Sequence, residues 1–175
     1  MKKKINVFEY SNEIMKALQT GVLLSTNVEG KQNAMTISWG SLGVDWGKPI
    51  FTTFVRESRF TLEQLEKNPV FTNNVPLGDY DKKIISVCGT KSGRDMNKIQ
   101  ATGLTLVPAE VNGVGGYKEL PLTIECRVVY KQAQDTNLLS SGDLTKWYPK
   151  DDNGKGDYHI AFVGEVVDAY IIENS

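Results

Sequence analysis

The run Asn33-Ala-Met-Thr-Ile-Ser-Trp-Gly-Ser41 changes character at every second residue. In an extended strand, successive side chains point to opposite faces. Asn33, Met35, Ile37 and Trp39 therefore share one face, and Ala34, Thr36 and Ser38 the other. The second face is too small and too polar for an ordinary core. It predicts free space beside the backbone, lined with hydrogen-bonding groups, which suits a flat, polar-edged ring.

The rest of the chain repeats the strand signal with short helical interruptions. The pattern predicts a helix over 7–17 ahead of Gly21, then strands over 22–28 and 33–39 joined by a Glu29-Gly30 turn. Pro49 opens a β-branched and aromatic strand over 50–55. A helix over 58–67 follows, with Ser58 as its N-cap, and Asn68-Pro69 stops it before a strand over 70–75. A helix over 80–87 should end at Cys88-Gly89, and Asp95 should cap a second helix over 96–102 that Gly103 ends. A short strand over 104–107 and a flexible, glycine-rich 112–116 lead to the long strand 122–131. There Leu122, Ile124, Cys126, Val128 and Tyr130 share a face. The polar stretch 132–158, broken by Gly142, Pro149, Gly154 and Gly156, reads as a lid or partner-binding loop, and a strand over 159–172 closes the chain. Many strands with few short helices predict a mainly β, barrel-centred fold in a single domain over 1–175.

Composition narrows the partners. The formal net charge of −1 makes no electrostatic case for nucleic acid or an anionic membrane. The basic start Met1-Lys-Lys-Lys4 is not followed by the apolar run of a signal peptide, and no window approaches the ~20 apolar residues of a membrane span. Cys88 and Cys126 are too few for a disulfide framework in a chain of this size, so a reduced, cytoplasmic setting is expected. His159 is the single histidine, and no metal cluster is expected.

Two segments have the chemistry of anion sites. Arg56-Glu-Ser-Arg-Phe-Thr61 spans a strand end and a helix start, where unpaired N–H groups meet hydroxyls and two guanidinium forks. Cys88-Gly-Thr-Lys-Ser-Gly-Arg-Asp-Met-Asn-Lys98 packs glycines, hydroxyls and three cations between helices. Each also reads as an ordinary element: a capped helix with solvated arginines, and a surface loop. Cys88 and Arg94 further match the Cys-x5-Arg spacing of a cysteine phosphatase loop, whose thiolate attacks phosphorus. Against that reading, the residues before Cys88 look helical and Asp95 stands where a hydroxyl is needed. Trp46 reads as closing a barrel end beyond the Gly40–Gly43 turn. His159, beside the long loop, is in reach of a ligand.

Taken in order, Asn33–Ser41, Arg56–Thr61, Cys88–Asp95, and Tyr158-His159 with Gly164-Glu-Val166 resemble the flavin reductase-like family, in particular its flavoredoxin-type members. The resemblance implies an FMN-binding split β-barrel of Greek-key type, a homodimer with its flavin near the interface, and FMN held without a covalent bond. It implies NADH or NADPH as possible donors and a small molecule or protein as acceptor. It places Asn33, Met35, Thr36, Ile37, Ser38 and Trp39 along the isoalloxazine ring. Arg56, Ser58, Arg59, Phe60 and Thr61 fall around the ribityl chain and phosphate. Cys88, Gly89, Ser92, Gly93, Arg94 and Lys98 complete the phosphate site, with His159 near the ligand. No acid–base dyad is evident, and such a protein needs none, because the flavin performs the redox step. Without a Gly-x-Gly-x-x-Gly fingerprint, a nicotinamide donor would enter the open flavin cleft. The alternative within the same resemblance is a flavin-binding electron carrier that oxidises NAD(P)H poorly.

Overall fold

Alternating apolar residues drive most of this chain into one antiparallel sheet that curls around its own apolar face. The structure, a computed structural model, describes residues 1–173. Its strands are β1 (Lys2–Lys4), β2 (Val22–Val28), β3 (Lys31–Ile37), β4 (Gly40–Asp45), β5 (Lys48–Arg56), β6 (Val70–Val75), β7 (Leu106–Val107), β8 (Gly116–Tyr117), β9 (Leu122–Ala133) and β10 (His159–Ile172). The helices are α1 (Ser11–Leu18), α2 (Phe60–Lys67), α3 (Lys83–Thr90), α4 (Lys98–Ala101) and α5 (Ser141–Trp147).

The main sheet runs β3-β2-β6-β9-β10-β5-β4, and β1 also pairs with β10. β10 is the seam. One edge pairs with β9 along its length, while the other takes β5 over His159–Glu165 and β1 over Tyr170–Ile172. Register shifts at Val163/Gly164 and Val166/Asp168 bend the strand between those partners. Glycine is required at the first shift: a Cβ on Gly164 would stand 2.6 Å from Phe71 and 2.8 Å from Cys126.

Inside the curl pack Leu24, Met35, Ile37, Phe51, Val55, Phe71, Ile124, Cys126 and Phe162, with Ile14 and Leu18 of α1. Each such side chain contributes roughly 1.5–3 kcal/mol by leaving water. A second cluster lies between the sheet and α3: Leu23, Ala34, Ile84, Cys88, Leu104, Tyr117 and Leu120. Buried Glu125 accepts hydrogen bonds from the N–H groups of Glu110, Val111 and Asn112 (2.7–2.8 Å) and from the Tyr170 hydroxyl (2.9 Å). That carboxylate ties down the connection expected to be flexible.

Several local expectations shift. The helix expected over 7–17 opens as a 3-10 turn, Val7–Tyr10, before α1. Gly40–Asp45 is a strand, paired with β5 throughout, and Trp46-Gly47 forms its hairpin turn with φ of 49° and 69°. Trp46 is 59 % exposed at that tip and closes no barrel end. The glycines at 40 and 43 hid the strand because glycine lowers strand propensity. α3 runs on through Cys88 and Gly89. Asn97, not Asp95, caps α4, accepting from the Gln100 N–H at 3.1 Å. Ser58 does not cap α2, because its hydroxyl donates to Asp157 at 2.7 Å and Arg59 occupies the cap position. The stretch 134–158 contains α5 and is pinned to the barrel at several points.

Candidate functional site

β5 ends at Arg56, and the chain turns through 57–59 into α2 directly beside β3. The start of α2 presents backbone N–H groups with no intrahelical acceptor. The 91–94 loop closes in from the other side, and only glycine lets it do so: a Cβ on Gly93 would lie 2.2 Å from Asn33 Oδ1 and 3.0 Å from Phe60. The result is a small cavity of about 90 Å³ lined by Asn33, Met35, Ser58, Arg59, Phe60, Thr61, Lys91, Ser92, Gly93, Arg94 and Lys98.

The cations around this cavity are not equivalent. Arg94 is bound to Glu63, donates to the Ser58 carbonyl at 3.2 Å and lies over the Phe60 ring. Its charge is therefore already matched, and it braces the loop against α2. Lys98 is buried, and its ammonium donates to the carbonyls of Lys91 (3.2 Å) and Cys88 (3.4 Å). Burial pushes its pKa down; Cys88 opposes that shift and the Arg59 charge adds to it. Among the described residues, no carboxylate pairs with Arg59 or Lys98. Thr61, buried, accepts from Asn33 Nδ2 at 3.3 Å and keeps its hydroxyl proton available. Three cations without an acid among the described residues, Arg59, Lys91 and Lys98, with two hydroxyls and a helix start, form a donor set for a dianion.

Met35 and Arg59 also line a second groove of about 170 Å³, with Thr36, Ile37, Ser38, Trp39, Phe54, Arg56, Trp147 and His159. Trp39 is its aromatic wall, edge-on to Trp147 with centroids 5.1 Å apart and tilted on His159 at 4.9 Å. Arg56 is occupied by the 134–158 segment, donating to the carbonyls of Asp157 (2.7 Å) and Trp147 (2.9 Å) under the Tyr148 ring. It therefore clamps that segment rather than facing an anion. His159 is buried, and its Nδ1 is 2.8 Å from the Tyr148 hydroxyl. Burial, then Arg56, with Asp157 opposing and Arg59 adding, pushes its pKa down to about 4, so the ring is neutral near pH 7. A wider groove of about 790 Å³ leads from the small cavity past Phe60, Gly93 and Lys98 towards Gln32 and the Glu29-Gly30 turn.

Thus Asn33, Met35, Ser58, Arg59, Phe60, Thr61, Ser92, Gly93, Arg94 and Lys98 meet at one cavity, and Thr36, Ile37, Ser38, Trp39, Arg56 and His159 at the adjoining groove. Cys88 and Gly89 line neither. Cys88 is fully buried within α3, and burial raises its thiol pKa despite Lys98. A buried neutral thiol on a helix is no phosphatase nucleophile, and Arg94 is committed to Glu63. Gly89 lets α3 press on β3, where its Cβ would sit 3.3 Å from Thr36. The Thr36 hydroxyl donates to the Ile85 carbonyl at 2.6 Å. The small face read as open space for a ring is thus largely the seat of α3. Phe54, Trp147 and Tyr148 were missed. The aromatic pair Trp147-Tyr148 inside a polar stretch was the available signal.

The profile described as the flavin reductase like domain matches residues 15–175. An uncharacterized protein of Archaeoglobus fulgidus is 29 % identical over 161 residues, 91 % of this chain and 86 % of that one. The flavoredoxin of Methanosarcina acetivorans superposes with a TM-score of 0.64 at 28 % identity, over 87 % of this chain and 68 % of its own. An FMN-binding domain of a flavin reductases-like enzyme from Shewanella baltica shares the fold at 17 % identity, with a TM-score of 0.67 over 98 % and 77 % of the two chains. The shared architecture is the split β-barrel read from the sequence.

Proposed function

Because the chain belongs to the flavin reductase like domain family, we propose that it binds FMN without a covalent bond and acts as an oxidoreductase, taking electrons from NADH or NADPH and passing them to a small acceptor or a protein. The observation that carries this reading is a cavity with cations that have no acid partner, Arg59 and Lys98 with Lys91, adjoining a groove walled by Trp39. A phosphomonoester dianion matches the first and a flat ring the second.

In this reading, Arg59, Lys98, Thr61 and Ser92 hold the phosphate. Arg94 and Gly93 keep the loop in place. Met35, Ile37 and Trp39 support the ring, while Trp147 and Phe54 keep water from its edge. FMN, when bound, supplies the redox chemistry, and the protein supplies position and electrostatics. The neutral His159 adds a polar contact without adding charge to the groove.

A second reading, a flavin-binding electron carrier, is favoured by the narrowness of the ring-side groove, about 170 Å³ and edged by Trp147. That edge leaves little room for a nicotinamide to stack. An anaerobic visible spectrum of FMN-reconstituted protein, before and after NADH and then NADPH, separates the two. Fast bleaching of the oxidised flavin band near ~450 nm supports the reductase. Bound flavin that stays oxidised supports the carrier. A protein that takes up no FMN contradicts both.

A further inference from the structure

The 134–158 segment does more than cover the barrel end. α5 delivers two adjacent aromatics: Trp147 to the ring-side groove and Tyr148 to the far side of His159. Tyr148 is buried, and its hydroxyl has one hydrogen-bond partner among the described residues, His159 Nδ1 at 2.8 Å. Its ring also stands edge-on to the imidazole and under the Arg56 guanidinium. The other ring nitrogen, Nε2, has no protein partner among the described residues, and the imidazole lines the groove.

Two tautomers are open to a neutral imidazole in that position. If Nδ1 carried the proton, it would donate to the tyrosine oxygen, and the buried hydroxyl proton would have no acceptor. If the hydroxyl donates to Nδ1, the tyrosine proton is matched and the ring proton resides on Nε2, the nitrogen left for a partner at the groove that His159 lines. Leaving the buried tyrosine proton unmatched is costly enough to select one tautomer. Charge does not disturb the choice, because Arg56 and Arg59 disfavour the imidazolium and only Asp157 opposes them.

We propose that Tyr148 is a positioning residue: its hydroxyl holds His159 as the Nε2–H tautomer and turns that N–H into a hydrogen-bond donor at the ring-side groove, matched to an acceptor atom on the edge of the bound ring. The proposal rests on the flavin reading of the groove only for the identity of the acceptor. It makes the 134–158 segment, through one hydroxyl, the part of the chain that sets the polarity of the groove wall.

His159 is the single histidine in the chain, so its ring nitrogens can be read without assignment ambiguity. Uniformly ¹⁵N-labelled protein, free and with FMN, is compared with Tyr148→Phe by long-range ¹H–¹⁵N correlation at neutral pH. Expected is a single Nε2–H pattern in the free protein, its loss to a mixed pattern in Tyr148→Phe, and an FMN-induced shift at Nε2 that the variant lacks. A packing role alone would leave the tautomer unchanged on loss of the hydroxyl. An Nδ1–H pattern in the free protein, or the same tautomer in both proteins, overturns the proposal. So does FMN that binds, as seen by quenching of its fluorescence, without moving Nε2. If FMN does not bind at all, the flavin reading fails, and the free-protein spectra still decide the role of Tyr148. If Tyr148→Phe does not fold, the free-protein pattern alone decides, with Nδ1–H overturning the assignment.

Discussion

Arg59 and Lys98 line the anion cavity with no acid partner among the described residues, and the Lys98 ammonium, held by two backbone carbonyls, keeps a third N–H to donate. Arg56 is spent on two carbonyls and Arg94 on Glu63. Arg59→Ala or Lys98→Ala should each weaken FMN by more than ~1 kcal/mol, the worth of a charge-assisted hydrogen bond. Arg94→Ala should cost less in a fluorescence titration, because its charge is already matched. Equal losses for all three would contradict this division. His159 gives a pH prediction. Its pKa is pushed down to about 4 from 6.5, so between those values the unfolded chain binds more protons than the folded one. Stability should therefore rise as pH climbs from about 4 to 6.5 and level off above, by up to about 3 kcal/mol. Urea unfolding of wild type and His159→Gln across that range isolates the term, and identical pH slopes would contradict a buried neutral ring.

At the scale of elements, the strands were legible and their edges were not. β2, β6 and β10 have the bounds that apolar runs gave, because period-two burial writes itself into the sequence. β4 escaped, since two glycines outweighed its apolar positions, and β1 escaped because three lysines do not look like a strand. α3 was cut short at Cys88-Gly89 because glycine usually ends a helix, whereas here it admits Thr36. The stretch 132–158 reads as long and polar, its first two residues belong to β9, and the attachment of the remainder carries no sequence signal. That attachment is tertiary: Asp157 accepts from the Ser58 N–H at 3.0 Å and from its hydroxyl at 2.7 Å. Asp157→Ala should release the segment locally. Amide exchange should speed up across 140–158 while β6 and β9 keep their protection. Exchange that rises equally in the barrel would mean the segment is part of the cooperative core.

At the scale of the whole molecule, the barrel interior is mainly apolar, and the cavity and grooves gather on its flank where β3, the β5–α2 turn and the 91–98 loop converge. Most of the residues read as ligand-facing are there, because strand ends, helix starts and glycine-rich loops are places where backbone donors stay unpaired. The exceptions, Cys88 and Gly89, belong to a packing interface whose small side chains look the same in sequence as those of a binding site. The proposed flavin site turns on a division of labour between an anion cavity and an aromatic groove. It is tested most directly by the equilibrium affinities of the apoprotein for FMN and for riboflavin, which lacks the phosphate. FMN should bind at least ~100-fold more tightly, the combined worth of two charge-assisted contacts, with the gap shrinking in Arg59→Ala and Lys98→Ala. Equal affinity for the two flavins would contradict it.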